Sequence, residues 1–308
     1  YENRKGKKFV RRSRVYFPAT PWGSMGIKVF DFDNDGQLDI YITDMHSDMG
    51  GDQVEVLRDN PLVGEEQKKS PKPFADSILK TGDTSLFGNS FFRRTGPGAF
   101  EEVSDRIGAE TYWPWGISVG DLNADGYQDV FVTSSMNFPW RYHPNHVLLN
   151  DGGSRFVLSE FVLGVEPRRD GRTAVPWHQL DADGRDQDHD FCEGRKGLFT
   201  MHGALGSRSS VILDLEGDGD LDIVTNDFNT EPLVLVSDLS DRKPVKSIQV
   251  RLVGVDSNRD GLGSRVVVYA GGKTFVQVHD GQSGYLSQSR MPLYFGLGSA
   301  ESVDKIEV

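Results

Sequence analysis

The chain has 308 residues, enough for one large or two ordinary domains, and a formal charge of −12. That charge argues against nucleic acid as a partner, because nucleic-acid binders carry basic patches. No run approaches the roughly 18 apolar residues of a spanning helix, and a lone Cys192 excludes an internal disulfide framework, so the chain reads as not membrane-spanning, with one buried free thiol.

In chain order the first pattern is a hairpin. Asn3-RKGKK-Phe9, Arg94-TGPGA-Phe100 and Asn150-DGGSR-Phe156 share one spacing, each a strand, a Gly-rich turn and an aromatic that opens the return strand. The basic run from Lys7 to Arg14 reads as a solvated face. The sequence starts at Tyr1, inside the first hairpin and without a signal peptide, so the expectation is that one was removed or lies upstream.

The second pattern is acidic and occurs three times in one frame. Loop 1 runs from Asp31 to Asp39, with Asp33, Asp35 and Gln37 at positions 3, 5 and 7. Loop 2 runs from Asp121 to Asp129, with Asn123, Asp125 and Tyr127 there, and loop 3 from Asp214 to Asp222, with Glu216, Asp218 and Asp220. Position 6 is Gly36, Gly126 and Gly219, and β-branched runs flank each loop. Three or four carboxylates packed this closely repel by roughly 4 kcal/mol per pair at about 4 Å and an effective dielectric near 20, so a cation belongs among them. Calcium fits, because it takes six to eight oxygens in flexible geometry, and side chains at 1, 3, 5 and 9 with the position-7 carbonyl supply them. Magnesium ranks second. Position 12 is Ile42, Val132 and Thr225 and the flanks are strands, which excludes an EF-hand. About three calcium ions would bring the net charge from −12 to −6.

The distance from hairpin aromatic to loop is 22 residues for Phe9 to Asp31 and 21 for Phe100 to Asp121, so hairpin and loop read as one unit. From Phe156 the same rule lands on Gln179, where QLDADGRDQ keeps Asp181, Asp183 and Gly184 as a degenerate fourth copy. A polar insertion near residues 48–86, with a short helix around Pro73 to Lys80, lengthens the first interval. Units of about 50 to 60 residues with four short strands indicate an all-β fold, a β-propeller over 1–245. About four units are visible, the first incomplete. Because a propeller closes to hide its edges, further N-terminal blades are expected, with an unusually small circle as the alternative. From Ser247 onward, SIQVRLVGV, SRVVVYA, KTFVQVH, PLYFGLG and VDKIEV read as strands of a small C-terminal β domain, 246–308.

The Asp-loop units resemble the FG-GAP/VCBS propeller repeats of integrin α-chain heads and many bacterial exported proteins. The tail, with Asn258-RDGLGS-Arg265-Val266, Gly284-YLSQS and Phe295-Gly296-Leu297-Gly298, resembles the ASPIC/UnbV domain. Together they resemble the cartilage acidic protein family and its bacterial members, over essentially the whole chain. The resemblance implies about seven blades before the tail and a tail that continues into a Trp-Pro-Ser-Gly stretch; this sequence stops at Val308 before it. It also implies calcium binding and an extracellular recognition or structural role, and no known reaction.

Other constellations weigh less. Gly116-Ile-Ser118-Val-Gly120 matches a nucleophile pattern, but within a strand rather than at a strand-to-helix elbow. Trp22, Trp115, Trp140 and Trp177 follow Pro and suit blade packing better than sugar stacking, a choice that also faces Tyr112, Trp113 and His178. His143 with His146, and His189 among Asp186, Asp188 and Asp190, lack the rigid spacing of zinc sites. Asp256, Asn258 and Asp260 begin like another loop but have Ser264 at position 9, and read as a structural turn.

The functional expectation is an exported, non-enzymatic calcium-binding module for adhesion, scaffolding or recognition of a protein or glycan ligand. It would sit outside the cell, at the cell surface or in the periplasm, because loops of modest affinity load where calcium is about 10⁻⁴ to 10⁻³ M. One alternative is a calcium-dependent, polysaccharide lyase-like enzyme using Arg141 with Tyr142 or His143. Another is a self-assembling subunit of a surface filament.

Overall fold

The computed structural model describes residues 1–17, 19–45, 85–86, 88–135 and 142–308. The expected insertion and its helix therefore lie outside the described residues except at Ser85–Leu86, which pairs in parallel with Thr20–Pro21. Trp140 and Arg141 also lie outside them. The structure is nearly all β, with 43% strand and 7% helix, and among the described residues the sheets are not closed into a ring.

Three antiparallel sheets carry the acidic loops. Blade 1 comprises Ser24–Phe30, Asp39–Asp44, Ser90–Gly96 and Ala99–Glu102, and blade 2 comprises Pro114–Gly120, Asp129–Ser134, His146–Asn150 and Phe156–Leu158. Blade 3 has three strands, Gly206–Leu213, Asp222–Phe228 and Val234–Leu235. Within each, spatial order follows chain order and the acidic loop joins the first two strands. Alternating Val, Ile and Phe in those strands suit a pleated surface packed on its neighbour.

The hairpin and the loop that share a sequence unit belong to different sheets. The Phe100 hairpin closes the outer edge of blade 1, and the next loop opens the inner edge of blade 2. The unit thus runs across the boundary between blades. Phe156 shows what that achieves: from the outer strand of blade 2 it packs 5.0 Å from Phe32 and 6.0 Å from Phe91, ring to ring, inside the core of blade 1. Phe9, in the N-terminal hairpin, is exposed.

The first strands of the three blades run side by side, joined by a repeated hydrogen bond. Thr43 Oγ1 accepts the Gly26 N–H at 2.9 Å and donates to Trp115 O at 3.0 Å. Thr133 Oγ1 likewise accepts from Gly116 N at 2.8 Å and donates to Arg208 O at 2.9 Å, linking blades 2 and 3. A Cβ at Gly26 or Gly116 would stand 2.8 or 2.7 Å from those same carbonyls, so glycine is what lets adjacent inner strands approach. Ser118 lies in this layer with its hydroxyl 2.9 Å from Ser210 O, and the nucleophile pattern is accounted for by strand packing.

The degenerate fourth copy is not a blade. Asp181 ends the strand Ala174–Asp181, which among the described residues pairs only with Leu198–Ala204, in a two-stranded ribbon between blades 2 and 3 in the chain. With Gln at positions 1 and 9 there is no carboxylate to cap the turn from either end. Asp186 accepts the Asp181 N–H instead, and Gly184 lacks the left-handed backbone of the three true loops.

In the C-terminal region Ser247–Val250 pairs with Leu293–Gly296, and Arg265–Ala270 lies between Lys273–Val278 and Val303–Glu307. Val266, Val268, Phe275 and Phe295 form its core. Asn258 closes a turn by exchanging bonds with Leu262 N and O at 2.6 and 2.9 Å, so the Asp256–Asp260 segment is a structural turn.

Blade 1 contains a buried polar knot. The Tyr41 hydroxyl donates to Ala109 O at 2.5 Å and accepts from Asn89 Nδ2 at 3.1 Å, with no exposure of the ring. Tyr41→Phe is expected to lower unfolding free energy by about 1–2 kcal/mol, because buried partners lose a hydrogen bond without gaining water. Urea denaturation checks it, and an unchanged midpoint would assign the knot no energetic weight.

Candidate metal centres

Each loop is built by its own first and last carboxylates. In loop 1 the Asp31 carboxylate accepts the Asp35 and Gly36 N–H groups at 3.1 and 2.9 Å. In loop 2 Asp121 accepts from Asp125 and Gly126 at 3.0 and 2.7 Å, and in loop 3 Asp214 accepts from Gly217 and Gly219 at 2.7 and 3.2 Å. Positions 4 and 6 are left-handed in all three, at Asn34 and Gly36, Ala124 and Gly126, and Gly217 and Gly219. Glycine at 6 meets that demand without strain.

Position 9 is a staple. Asp39 accepts from Phe32 N at 3.0 Å and, across the sheet, from Arg94 N at 2.7 Å. Asp129 accepts from Leu122 N and Asn150 N, both at 2.7 Å, and Asp222 from Leu215 N at 2.7 Å and Ser237 N at 2.9 Å. The last carboxylate therefore ties its loop to the third strand of the blade or to the residues just after it. This long-range partner is invisible in the nine-residue motif.

The middle positions differ among the copies. Asp31, Asp33 and Asp39 offer oxygens all within 4.8 Å of one another, a cluster with the donor chemistry of a hard divalent cation. Arg93 forms an ion pair with Asp33 at the edge of that cluster. In loop 2 Asn123 replaces one carboxylate, and its amide donates to Asp125 at 3.0 Å. Asp35 and Asp125 accept the N–H of Gln37 and Tyr127 at 2.7 and 2.8 Å, holding position 7 beside position 5. In loop 3 Asp218 takes the corresponding Asp220 N–H at 3.3 Å, and no bond involves the Glu216 side chain among those described. Asp220 is 1% exposed; one of its oxygens accepts from Ser240 N at 2.7 Å and the other, Oδ1, has no partner. An unpartnered buried carboxylate oxygen is costly, and a cation would satisfy it. The residues present thus fit a metal of the calcium class.

Charge tells the same story. Burial first, and then the neighbouring acids, push the Asp31 and Asp121 carboxyls up to about 7 and Asp39 up to about 6. Asp129 is raised well above its ordinary value for the same reason. Without a cation these groups hold protons at a higher pH than ordinary carboxyls do.

Residues outside the loops complete the sites. Asn150 donates to Phe32 O at 2.8 Å, so the blade 2 hairpin braces loop 1, and Asn34 reaches Gly126 O at 2.9 Å, tying loop 1 to loop 2. Arg93 and Ser240 carried no sequence signal and Asn150 was marked only as the start of a hairpin, because each arrives from another strand or turn.

The remaining candidates are structural in their contacts. His146 Nδ1 lies 3.2 Å from Glu160, His143 stacks on Tyr112 at 5.9 Å, and His189 Nδ1 accepts Phe191 N at 3.2 Å. Trp115 packs under Arg208, whose guanidinium is 3.9 Å from its ring and 4.0 Å from Phe228; Trp177 and Trp22 are partly exposed. Cys192 is a buried free thiol.

Residues 81–132 match the family model described as an FG-GAP-like repeat, and residues 254–308 match the one described as ASPIC and UnbV. The chain joins an FG-GAP-like repeat to an ASPIC/UnbV region. No curated protein is a significant match to it. The FG-GAP-like match runs from the outer strands of blade 1 through loop 2 of blade 2, in phase with the hairpin-and-loop unit rather than with the sheets. The ASPIC/UnbV match begins after the first strand of the C-terminal region. No helix among the described residues is long and apolar enough to cross a membrane.

Proposed function

We propose that this protein is an exported calcium-binding module of the β-propeller type, non-enzymatic, whose ions rigidify blades that present a recognition surface to a protein or glycan. The observation that carries this reading is the recurrence of one loop geometry in three blades, with the carboxylates of Asp31, Asp33 and Asp39 in loop 1 all within 4.8 Å of one another. Asp31, Asp33, Asp35 and Asp39, with the Gln37 carbonyl, form the first donor set. Asp121, Asn123, Asp125 and Asp129 with the Tyr127 carbonyl form the second, and Asp214, Glu216, Asp218 and Asp222 with Asp220 the third. Calcium supplies the charge that lets these carboxylates stay ionised together; the chain supplies the backbone N–H groups that aim them. Loading in a calcium-rich exterior supports an extracellular or periplasmic location.

Isothermal titration of chelator-stripped protein with calcium is the direct test, with about three sites expected. The absence of any heat or stability change would overturn the metal assignment. The lyase-like alternative needs a free base, and Tyr142 is poorly placed for it. Its hydroxyl donates to Glu166 at 2.7 Å, and burial pushes it well above the ordinary phenol range.

The raised carboxyls predict an inverted pH response. Metal-free folded protein binds protons up to about pH 7 at Asp31 and Asp121, whereas the unfolded chain releases them near 3.8. Between those values the folded state holds more protons, so stability without calcium falls as pH rises through this window and is lowest above it. Calcium replaces the protons and removes the penalty. In chelator the melting temperature is therefore expected to be higher at about pH 5.5 than at about pH 8, and the increment from calcium larger at pH 8. Calorimetry at both pH values checks it; a calcium increment independent of pH would contradict it.

A further inference from the structure

We propose that the three acidic loops are also the docking platform of the C-terminal β domain, and that their ions lock that domain against the blades. The inference rests on the calcium reading above. It begins with the glycines of Phe295-Gly296-Leu297-Gly298. A Cβ on Gly296 would collide with the Asp121 carboxylate, and one on Gly298, at φ +55°, would stand 2.8 Å from Asp125 O. The Gly298 N–H donates to Ala124 O at 3.1 Å. These glycines allow the C-terminal domain to lie directly on loop 2.

The same domain reaches the other two loops. Ser247 Oγ and the Tyr294 hydroxyl both donate to Gly219 O, at 3.1 and 2.8 Å, and Gln249 Nε2 donates to Asp214 Oδ2 at 2.9 Å in loop 3. Arg265 donates to Gly36 O at 3.3 Å in loop 1. A second anchor lies between the inner strands, where Gly284 N donates to Ile117 O at 3.0 Å and Ser283 Oγ to Ser210 O at 2.6 Å. Lys28 fixes this anchor through Asp280 at 3.0 Å and Gln282 O at 2.7 Å.

Most acceptors on the loops are backbone carbonyls of the left-handed positions 4 and 6. Their direction depends on the loop conformation, which the first and last carboxylates hold. Removing the cations leaves those carboxylates to repel one another, the loops relax, and the carbonyls leave the register that the domain reads. The ions would therefore act on docking without touching the domain. Linkage makes the effect reciprocal: docking raises calcium affinity by the factor by which calcium strengthens docking.

Hydrogen exchange on the full chain tests this, with calcium binding followed separately by calorimetry. On chelation, exchange in 281–287 and 295–298 is expected to accelerate by about tenfold or more, while the 265–270 and 273–278 ladder keeps its protection. Gly284→Ala, outside the loops themselves, places a Cβ 2.5 Å from Ser210 N. It is expected to free the same segments in saturating calcium and to weaken calcium binding. Calcium binding with unchanged exchange at both segments would overturn the lock and leave the calcium reading intact. No calcium binding would overturn both. Loss of protection in 265–278 as well would also overturn the lock, since the ions would then support the folding of the domain and not its docking.

Discussion

In calcium at about 10 mM, a hundredfold over a dissociation constant of about 10⁻⁴ M, the protein is expected to melt about 12 °C higher than in chelator. Each ion held at about a hundredfold over its dissociation constant contributes about 2.7 kcal/mol, so three contribute about 8 kcal/mol. At roughly 2 cal/mol/K per residue of unfolding entropy, a chain of 308 residues converts that into the stated shift. Asp125→Asn separates a metal site from an acidic turn. It retains an oxygen for the Tyr127 N–H and removes a charge that raises the Asp121 carboxyl. In chelator its stability should be equal to or above that of the unsubstituted protein, while the calcium increment falls by about one third. Equal destabilisation with and without calcium would assign Asp125 to the turn alone.

Arg168→Ala is expected to lower unfolding free energy by about 3–5 kcal/mol, because it strands the Asp227 carboxylate in the interior. The pair is 2.5 Å apart with side chains 4% and 0% exposed. Arg168 also donates to Ser207 Oγ at 3.1 Å, and Thr225 Oγ1 donates to the other Asp227 oxygen at 2.6 Å. The interaction joins the segment that follows blade 2 to the second strand of blade 3, where Thr225 uses its hydroxyl on Asp227. Denaturant unfolding of Arg168→Ala, Asp227→Ala and the double variant gives the coupling energy; a double variant as damaged as the two singles combined would contradict it. Arg106→Ala, which breaks an exposed pair with Glu101, should cost less than about 1 kcal/mol and serves as the reference.

The sites were legible in the sequence as far as their bonds are local. Capping of positions 5 and 6 by Asp31 and Asp121, and the left-handed turn at Gly36, Gly126 and Gly219, are consequences of residues within one loop. Gln179 shows the limit of reading by spacing. It falls at the correct distance from Phe156, yet without end carboxylates the segment follows the pairing of Ala174–Asp181 with Leu198–Ala204 and becomes a ribbon. The hairpin-and-loop period was correct as a sequence unit, but adjacency in the chain did not reveal that the two halves lie in different sheets.

By itself the sequence determined the all-β character, the frame of the three acidic loops and the strands of the C-terminal region, because alternation and turn chemistry act over a few residues. Tertiary structure alone decided that Asp39 staples Arg94, that Arg93 guards Asp33, that Asp220 is buried with a free oxygen and that Gly296 rests on Asp121. Those contacts join residues up to 175 positions apart, between Asp121 and Gly296, and no local preference encodes them. They exist because strands within a blade, and the C-terminal region on loop 2, pack closely enough to bring backbone groups and side chains distant in the chain together out of water.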